Sequence, residues 1–346
     1  RGAHAQGHRR GAARMNGTVL VLGGTGCIGA VVVRDLLGSG AGRVVVASRA
    51  GTPGLLPLWL PAPFDRRIVL AAADLGEPAA VQRLVAEHRP THVVHLGGLQ
   101  SPDCDADPAQ GLAVNVGGTQ VLLEAVERLA VPLQRFVFAS SAAVYGPRSL
   151  YPGPVVGEDE PLQPPNRYGV WKLAGEHVCR LFAQRTGVPT VCLRLNTTYG
   201  KGRDRGRTAA PTTAMKHVAA GAARGSVQPF AMPYRGRENY HFVEDVGACF
   251  ARVTTAPFTG FGAFNIRGTT VEVAAFLAVI RDVARSLGMA QFCDLSIAGD
   301  ASENLFVSDL DDRAIQATFA GLPCTPLADG VRRSLLEFQH LAAASG

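Results

Sequence analysis

The sequence predicts an α/β fold, a doubly wound parallel sheet with a small C-terminal lobe, and three observations carry this. Short apolar runs alternate with helix-like stretches through the first half of the 346-residue chain. A glycine-rich turn joins the first apolar run to the first helical stretch, and the alternation breaks after Tyr199. Strands buried on both faces read as continuous apolar runs, because helices cover the sheet on either side. Candidate strands fall at 18–22, 43–48, 67–71, 92–96, 134–139 and 190–195, with helical segments near 27–37, 78–88, 112–129 and 168–185. Six strands wound in this way make a Rossmann-like sheet. Residues 51–65 hold four prolines and read as a loop insertion.

Past Tyr199 the composition changes. Residues 200–241 are rich in Gly, Arg and Pro, which suggests loops around a site rather than more sheet. Two apolar helices are expected near 243–254 and 271–286, and a last one near 327–341. Together they read as a lobe over the C-terminal edge of the sheet, where open α/β sheets bind ligands. The division is therefore 15–199 for a dinucleotide-binding domain, with strand and helix elements returning from the later chain, and 200–346 mainly for a substrate-binding lobe.

Composition narrows the class. Hydrophobic residues make up 47% of the chain and charged ones 18%, enough to bury a sizeable core and too little charge for wholesale disorder. No run approaches the ~18 uncharged apolar residues of a membrane helix. The net charge of +6 invites a nucleic-acid reading, but Arg1, Arg9, Arg10 and Arg14 supply most of it. Without them 30 basic face 28 acidic side chains. The body also lacks a basic stripe with interleaved aromatics, so no nucleic-acid partner is expected. Residues 1–14 lack the apolar core of a secretory signal and read as a disordered leader or expression remnant, with a transit peptide as the alternative. The seven cysteines are scattered and never in C-x-x-C spacing, which suggests neither a disulfide framework nor a metal site. A reducing cytoplasm is the simplest home.

The strongest local signal is TVLVLGGTGCIGAVVVRDLL, residues 18–37. Gly24-x-Gly26-x-x-Gly29, preceded by Gly23, follows an apolar strand and opens a helix, the context of a dinucleotide fingerprint. Gly24 and Gly26 permit a tight turn and close approach of backbone N–H groups to pyrophosphate, and Gly23 is placed with Gly26 and Gly29 among the cofactor-binding residues. The helix N-terminus at Cys27 and Ile28 adds its partial positive charge, and Gly29 lets helix and strand pack closely. At the end of the second strand Ser48 and Arg49 stand where NAD enzymes place an acid. Arg49 can grip a 2′-phosphate through its planar fork, so NADP is preferred to NAD, unless Arg49 is only a solvated surface cation. Asp74, followed by Leu75, is placed either to accept from the adenine amino group or to cap the next helix. Leu96, Gly97 and Gly98 end the fourth strand and leave room for the middle of a cofactor. His95 reads as buried and satisfied by backbone.

Tyr168 and Lys172 stand four apart on a predicted helix, on one side and one turn apart. A free phenol is a poor base at neutral pH, and a neighbouring ammonium favours the phenolate and lowers its pKa. Proton exchange with an alcohol then becomes feasible. The strand FVFASSAAVYG ends in Ser140 and Ser141, the latter 27 residues before the tyrosine. A hydroxyl there can bond a substrate oxygen as it changes between carbinol and carbonyl. Asn115, in AVNVGGT, either kinks its helix to hold a water near Lys172 or is an exposed helix residue.

GGTGCIG, HLGG, NVGGT, SSAAVYG, YGVWK and LRLNTTYG occur in an order and rough spacing that resembles the extended short-chain dehydrogenases/reductases, a family that includes nucleotide-sugar epimerases and dehydratases. HFVEDVG and GLPCTPLADGVRRS extend the likeness over about residues 17–340. The resemblance implies that Tyr168 is the acid/base, that Lys172 lowers its pKa and holds the nicotinamide ribose, that Asn115 joins the cofactor set, and that Ser141 rather than Ser140 faces substrate. It also implies a homodimer through helices 112–129 and 168–185. Family members that bind nucleotide sugars carry an Arg where this chain has Glu238, with Arg237 one residue early. Asn196, Arg203 and Arg237 are the substrate-side candidates. Arg203, Arg205 and Arg207 would suit a carboxylate or phosphate, or form a solvated loop. The leading reading is a nucleotide-sugar epimerase or dehydratase on a sugar-like substrate. The alternatives are a dehydrogenase of a small sugar, sugar acid or hydroxy acid, and a cofactor-binding regulator without catalysis.

Overall fold

The chain opens with β1 (Met15–Leu22), α1 (Cys27–Gly38), β2 (Ala41–Ser48), β3 (Ile68–Ala72), α2 (Pro78–His88) and β4 (His92–His95). Next come α3 (Ser101–Ala106) and α4 (Pro108–Leu112), a π-helical turn at Ala113–Gly117, α5 (Gly118–Glu127), β5 (Arg135–Ser141), α6 (Arg167–Thr186) and β6 (Thr190–Leu195). The later chain forms β7 (Thr197–Tyr199), α7 (Ala210–Arg224), β8 (Phe230–Arg235), β9 (Arg237–Phe242), α8 (Val243–Thr255), β10 (Phe261–Asn265) and β11 (Thr269–Glu272). It closes with α9 (Val273–Ser286), β12 (Leu295–Glu303), α10 (Arg313–Thr318) and α11 (Leu327–Ala344). The computed structural model describes residues 15–304 and 306–344, so the expectations for residues 1–14 lie outside the described residues.

Seven strands form one sheet in the order β10-β6-β5-β4-β1-β2-β3, all parallel. The winding runs outward from β1 to β3, crosses back to β4 and runs outward the other way. The reversal lies between β1 and β4, and a crevice opens beyond their C-terminal ends. Period-two alternation splits the core. Val19, Val21, Val44, Val46 and Val137 face one side with α1 and α8, while Leu20, Leu22, Val45, Phe136 and Phe138 face the other with α2, α5 and α6. At Gly247 on α8 a Cβ would lie 2.2 Å from Val31 Cγ1 on α1, so these two helices meet at a contact only glycine permits. Arg135 reaches under the sheet and donates to the carbonyls of Val253 (2.6 Å) and Ala256 (2.8 Å), satisfying the C-terminal end of α8.

Three expectations are corrected. Residues 200–241 are not only loops: α7, β8 and β9 lie among them. Helix α7 buries Ala214, Met215, Val218 and Ala219, side chains mostly too small to mark an apolar stripe. The single helix expected at 112–129 is broken by the π-helical turn. The helix expected from 271 starts at Val273, because 269–272 pair with β9 as a strand. The sheet also gains a seventh strand, β10, whose Phe-Gly-Ala-Phe-Asn run is too short to stand out by pattern. The small lobe holds a β11-β9-β7 sheet and a β12-β8 pair, packed on α7, α9 and α11 around Tyr199, Tyr240 and Phe276. The proline-rich 51–65 insertion folds back on the fingerprint turn: Leu55 N–H donates to Thr25 O (2.9 Å), and Leu56 is buried.

One buried polar cluster ties the sheet's far half to α6. Arg194 on β6 grips Glu176 on α6 through two bonds of 2.9 and 2.8 Å. Ser140 Oγ donates to the same carboxylate at 2.5 Å. Arg194 also donates to Tyr145 Oη (2.7 Å), whose hydroxyl donates to Asn265 Oδ1 on β10 (2.9 Å). Both charges are about 4% exposed, so neither has water to fall back on. Replacing Arg194 with Met strands the carboxylate, and the expected loss of unfolding free energy is about 3–5 kcal/mol, read from urea melts. The double variant Arg194→Met/Glu176→Leu should recover most of it; a loss as large as in the single variant would show that packing, not charge, was being measured.

Candidate active site

A cleft of about 800 Å³ opens at the C-terminal ends of the central strands and runs from the fingerprint turn across β5 and α6 to the small lobe. At its head the backbone requires glycine. Gly23 sits at φ +76°, and a Cβ on it would lie 2.9 Å from Gly97 N. A Cβ on Gly29 would lie 2.2 Å from Gly23 O. Gly23, Gly26, Cys27, Ile28 and Gly29 line the cleft. Gly24 does not. Its Cβ direction points at Val46 and Val21 in the core, so the turn glycine is Gly23 and the expectation for Gly24 is corrected. The first turn of α1 borders the cleft with Gly26 as its N-cap and no side chain bonded across it. These residues fit a dinucleotide pyrophosphate, since the helix end offers N–H groups and the glycines clear the approach.

Ser48 and Arg49 border the same cleft. Ser48 Oγ accepts from Gly51 N–H (3.2 Å), and Arg49 is exposed with no ion pair among the described residues. Asp74 takes neither expected role alone. Its Oδ1 accepts from Gly76 N–H at 2.8 Å, closing a local turn ahead of α2, while its side chain still borders the cleft. Leu75, Leu96, Gly97 and Gly98 line the middle. His95 is buried as expected, but its Nε2 pairs with the Thr119 hydroxyl (3.0 Å) and not with backbone. Burial pushes its pKa down to about 3.

Asn115 is neither exposed nor in the cleft wall. It is buried in the π-helical turn, where its Oδ1 accepts from Leu99 N–H (2.7 Å) and its Nδ2 donates to Leu99 O (3.0 Å). The amide thus clamps the 97–100 strand-end loop. A Cβ on Gly98 would lie 3.0 Å from Asn115 Oδ1 and 3.7 Å from Lys172 Nζ, which places this clamp against the lysine.

Asn166 caps α6 through Gly169 N–H (2.9 Å) and sets Tyr168 in the first turn, with Lys172 one turn on. Ser141 lies near Tyr168, where its hydroxyl favours the phenolate. Its Oγ accepts from Ala143 N–H (3.1 Å), and it sits just behind the residues that line the cleft. Ser140 turns away to Glu176. Lys172 Nζ donates to Ala139 O (2.7 Å) and stands 5.7 Å from the centre of the Tyr168 ring and 5.0 Å from that of Phe138. Burial pulls the lysine down to about 8. The phenol of Tyr168 is shifted up, contrary to expectation. Its own burial outweighs the Ser141 hydrogen bond and the Arg203 charge that oppose it.

At the substrate-lobe end, Asn196 borders the cleft and its Nδ2 donates to Val307 O (2.9 Å). Arg203, Arg205 and Arg207 line it from the 201–208 loop. Arg237 does not: it lies half-exposed and pairs with Asp309 at 2.7 Å, away from the cleft. Glu238, next in sequence, is the residue that faces in, 1% exposed, with Oε1 accepting from Asn239 N–H (3.2 Å) and Oε2 from Asn304 Nδ2 (2.9 Å). Strand alternation explains the swap, since neighbours on β9 point to opposite faces. Tyr234, Asn304 and Phe306 also line this end. They come from β8 and the segment after β12, and no motif in the sequence announces them.

The sequence profile of the NAD dependent epimerase/dehydratase family matches residues 19–266. The chain belongs to this family. It is 36% identical to UDP-glucose 4-epimerase 4 of Oryza sativa subsp. japonica over 49% of its length and 46% of that protein. It is 33% identical to D-erythronate dehydrogenase of Cupriavidus necator over 52% and 54%. The match thus spans about half the length of these curated relatives. Its fold superposes on the Thermus thermophilus UDP-glucose 4-epimerase complex with NAD with a TM-score of 0.72 at 26% identity, covering 93% of this chain and 99% of that one.

Burial raises Glu238 from its ordinary 4.5 to about 8. The folded chain therefore keeps a proton that the unfolded chain releases, so this residue's contribution to stability is complete below pH 4.5 and is lost as pH rises through 8. In thermal melts from pH 5 to 8.5, the Tm of the wild type should fall relative to that of Glu238→Gln. A difference that stays constant over this range would rule the shift out.

Proposed function

We propose that this chain is a nicotinamide-dinucleotide-dependent enzyme acting at a hydroxyl-bearing carbon of a sugar-like substrate, of the nucleotide-sugar epimerase or dehydratase kind. The observation that carries it is the placing of Tyr168 and Lys172, with Ser141 near the phenol, in one cleft with the glycine turn and open N-terminus of α1. Gly23, Gly26–Gly29, Ser48, Arg49, Asp74, Leu75, Leu96–Gly98, Tyr168 and Lys172 would hold the cofactor, and Asn115 would act behind them by fixing the Leu99 backbone. A bound nicotinamide ring supplies hydride acceptance and return. The protein supplies the proton chemistry. Ser141 orients the substrate oxygen, and Tyr168 gives its proton to a carbonyl as the phenol, the form that burial favours, or takes one from a carbinol as the phenolate. Lys172, close to neutrality at about 8, keeps a cation or its proton next to that phenol.

The family and the epimerase relatives favour a nucleotide sugar, with the 201–208 arginines facing the acidic part. A second reading, dehydrogenation of a sugar acid, is favoured by Glu238 facing in while Arg237 faces out, and by the likeness to D-erythronate dehydrogenase. For the cofactor, exposed Arg49 and the absence of a carboxylate at that corner favour NADP over NAD. Val170 and Leu181, exposed on one stripe of α6, favour a homodimer through that face. No described helix is long and apolar enough to cross a membrane, and a cytoplasmic location is the reading we adopt.

Tyr168→Phe is expected to cut turnover by about 10²–10⁴-fold while cofactor affinity stays within a few-fold. UDP-sugars and sugar acids are assayed with either cofactor at the nicotinamide absorbance band, and products are analysed for isomerised sugar. Net cofactor reduction marks the dehydrogenase, isomerisation without it the epimerase, and unchanged turnover in Tyr168→Phe defeats the assignment. Arg49→Asp should weaken NADP by about tenfold or more and leave NAD within a few-fold, measured by fluorescence titration. Equal effects on both cofactors would show that Arg49 does not reach a 2′-phosphate.

A further inference from the structure

The substrate-lobe end of the cleft holds two donors that the protein does not use. Arg203 is pinned by a bond from one terminal nitrogen to Thr208 Oγ1 (2.5 Å), and its Nε is buried with no hydrogen-bond partner among the described residues. The Tyr234 hydroxyl is likewise buried and unpartnered, on a side chain only 2% exposed. Both residues line the cleft. Buried polar atoms are almost always satisfied, and two orphaned donors at one end of a ligand cleft call for a group rich in acceptor oxygens.

The charges around them agree. Arg207 stacks above the Tyr234 ring at 5.7 Å and donates to Ser302 Oγ, and Arg205 lies on the same loop. Glu238 is the buried carboxyl at this end. Its bonds come from Asn239 and Asn304, and no ion pair among the described residues joins it to Arg203 or Arg207. A carboxyl and a guanidinium that border one cleft without pairing leave space for a ligand that offers an oxyanion to the cation and a hydroxyl to the acid. Arg203, Tyr168 and Tyr234 all line this one cleft.

We propose that Arg203 and Tyr234 form an oxyanion subsite, with Glu238 beside it taking a hydroxyl of the same ligand, so that the substrate is an acid-bearing polyol. The oxyanion is either the carboxylate of a sugar acid or the phosphate of a sugar phosphate or nucleotide sugar. This deepens the hydride-transfer reading by naming what anchors the substrate, and as a binding claim it is tested without turnover.

The test is calorimetric titration of the cofactor-loaded protein with D-gluconate, D-glucose 6-phosphate, UDP-glucose and the neutral polyol D-glucitol. At least one acidic probe should bind about tenfold or more tightly than D-glucitol, and which one does so identifies the source of the oxyanion. Arg203→Ala should remove about tenfold or more of that affinity and Tyr234→Phe a smaller part, with D-glucitol unchanged. Arg203→Lys should restore a portion, because the charge returns without the planar fork. If no acidic probe outbinds D-glucitol, or if Arg203→Ala weakens neutral and acidic probes alike, the subsite is overturned. Binding needs no turnover, and Tyr168→Phe should keep the same order of preference among the probes, so a failure of the catalytic assignment stays separate from a failure of this one.

Discussion

The geometry of the cleft depends on the buried pair between Arg194 and Glu176. It is made inside the protein, where water cannot replace either partner, and each oxygen of the carboxylate is used. The pair fixes α6 against the ends of β5 and β6, and through Tyr145 and Asn265 it reaches β10. Its consequence is positional. Ser140 is drawn into the cluster, and alternation along the strand then presents Ser141 to Tyr168. The helix that carries Tyr168 and Lys172 is held at its middle by Glu176 and at its start by the Asn166 cap. An interaction with no contact to any ligand thus decides which serine meets the phenol.

A similar division of labour runs along the rest of the cleft. Backbone does the work at its head, where Gly23 and Gly29 leave no space for a Cβ and the first turn of α1 stays uncapped by any side chain. Asn115 interrupts a helix with a π turn and spends its amide on the Leu99 backbone, so its effect on the cleft passes through the loop beside Gly98 and Lys172. π-helical turns inside α-helices recur at functional sites for this reason: one extra residue re-aims a side chain that regular helix would point elsewhere. The phenol and the lysine are both buried, and burial shifts each toward its uncharged form. The pair is poised for proton exchange by desolvation more than by mutual attraction.

The substrate-lobe end has a different chemistry. Its polar groups come from two strands, the segment after β12 and a loop, and they combine unpartnered donors with a buried acid that no cation pairs among the described residues. The same β9 alternation that turns Arg237 out to Asp309 turns Glu238 in, so one residue of register separates a basic wall from an acidic one. Fold likeness to nucleotide-sugar enzymes says nothing about this point, because function resides in the groups a fold presents.

Much of this was legible in the sequence, for reasons that are local. The first six strands and the main helices of the sheet domain follow from apolar runs and glycine placement, since a strand buried on both faces needs no distant partner to be recognised. The Gly-rich turn, the Tyr168–Lys172 spacing and the serine at a strand end are likewise short-range patterns. What only the tertiary structure decided involves residues far apart in the chain. It turned Gly24 out of the cleft because its Cβ direction meets Val46 and Val21. It buried Asn115 because Leu99 offered both a donor and an acceptor, and it hid α7 under small side chains that carry no visible stripe. It brought Tyr234, Asn304 and Glu238 to the face of Arg203. Short-range pattern determines which elements form; long-range packing determines which side of each element meets the ligand.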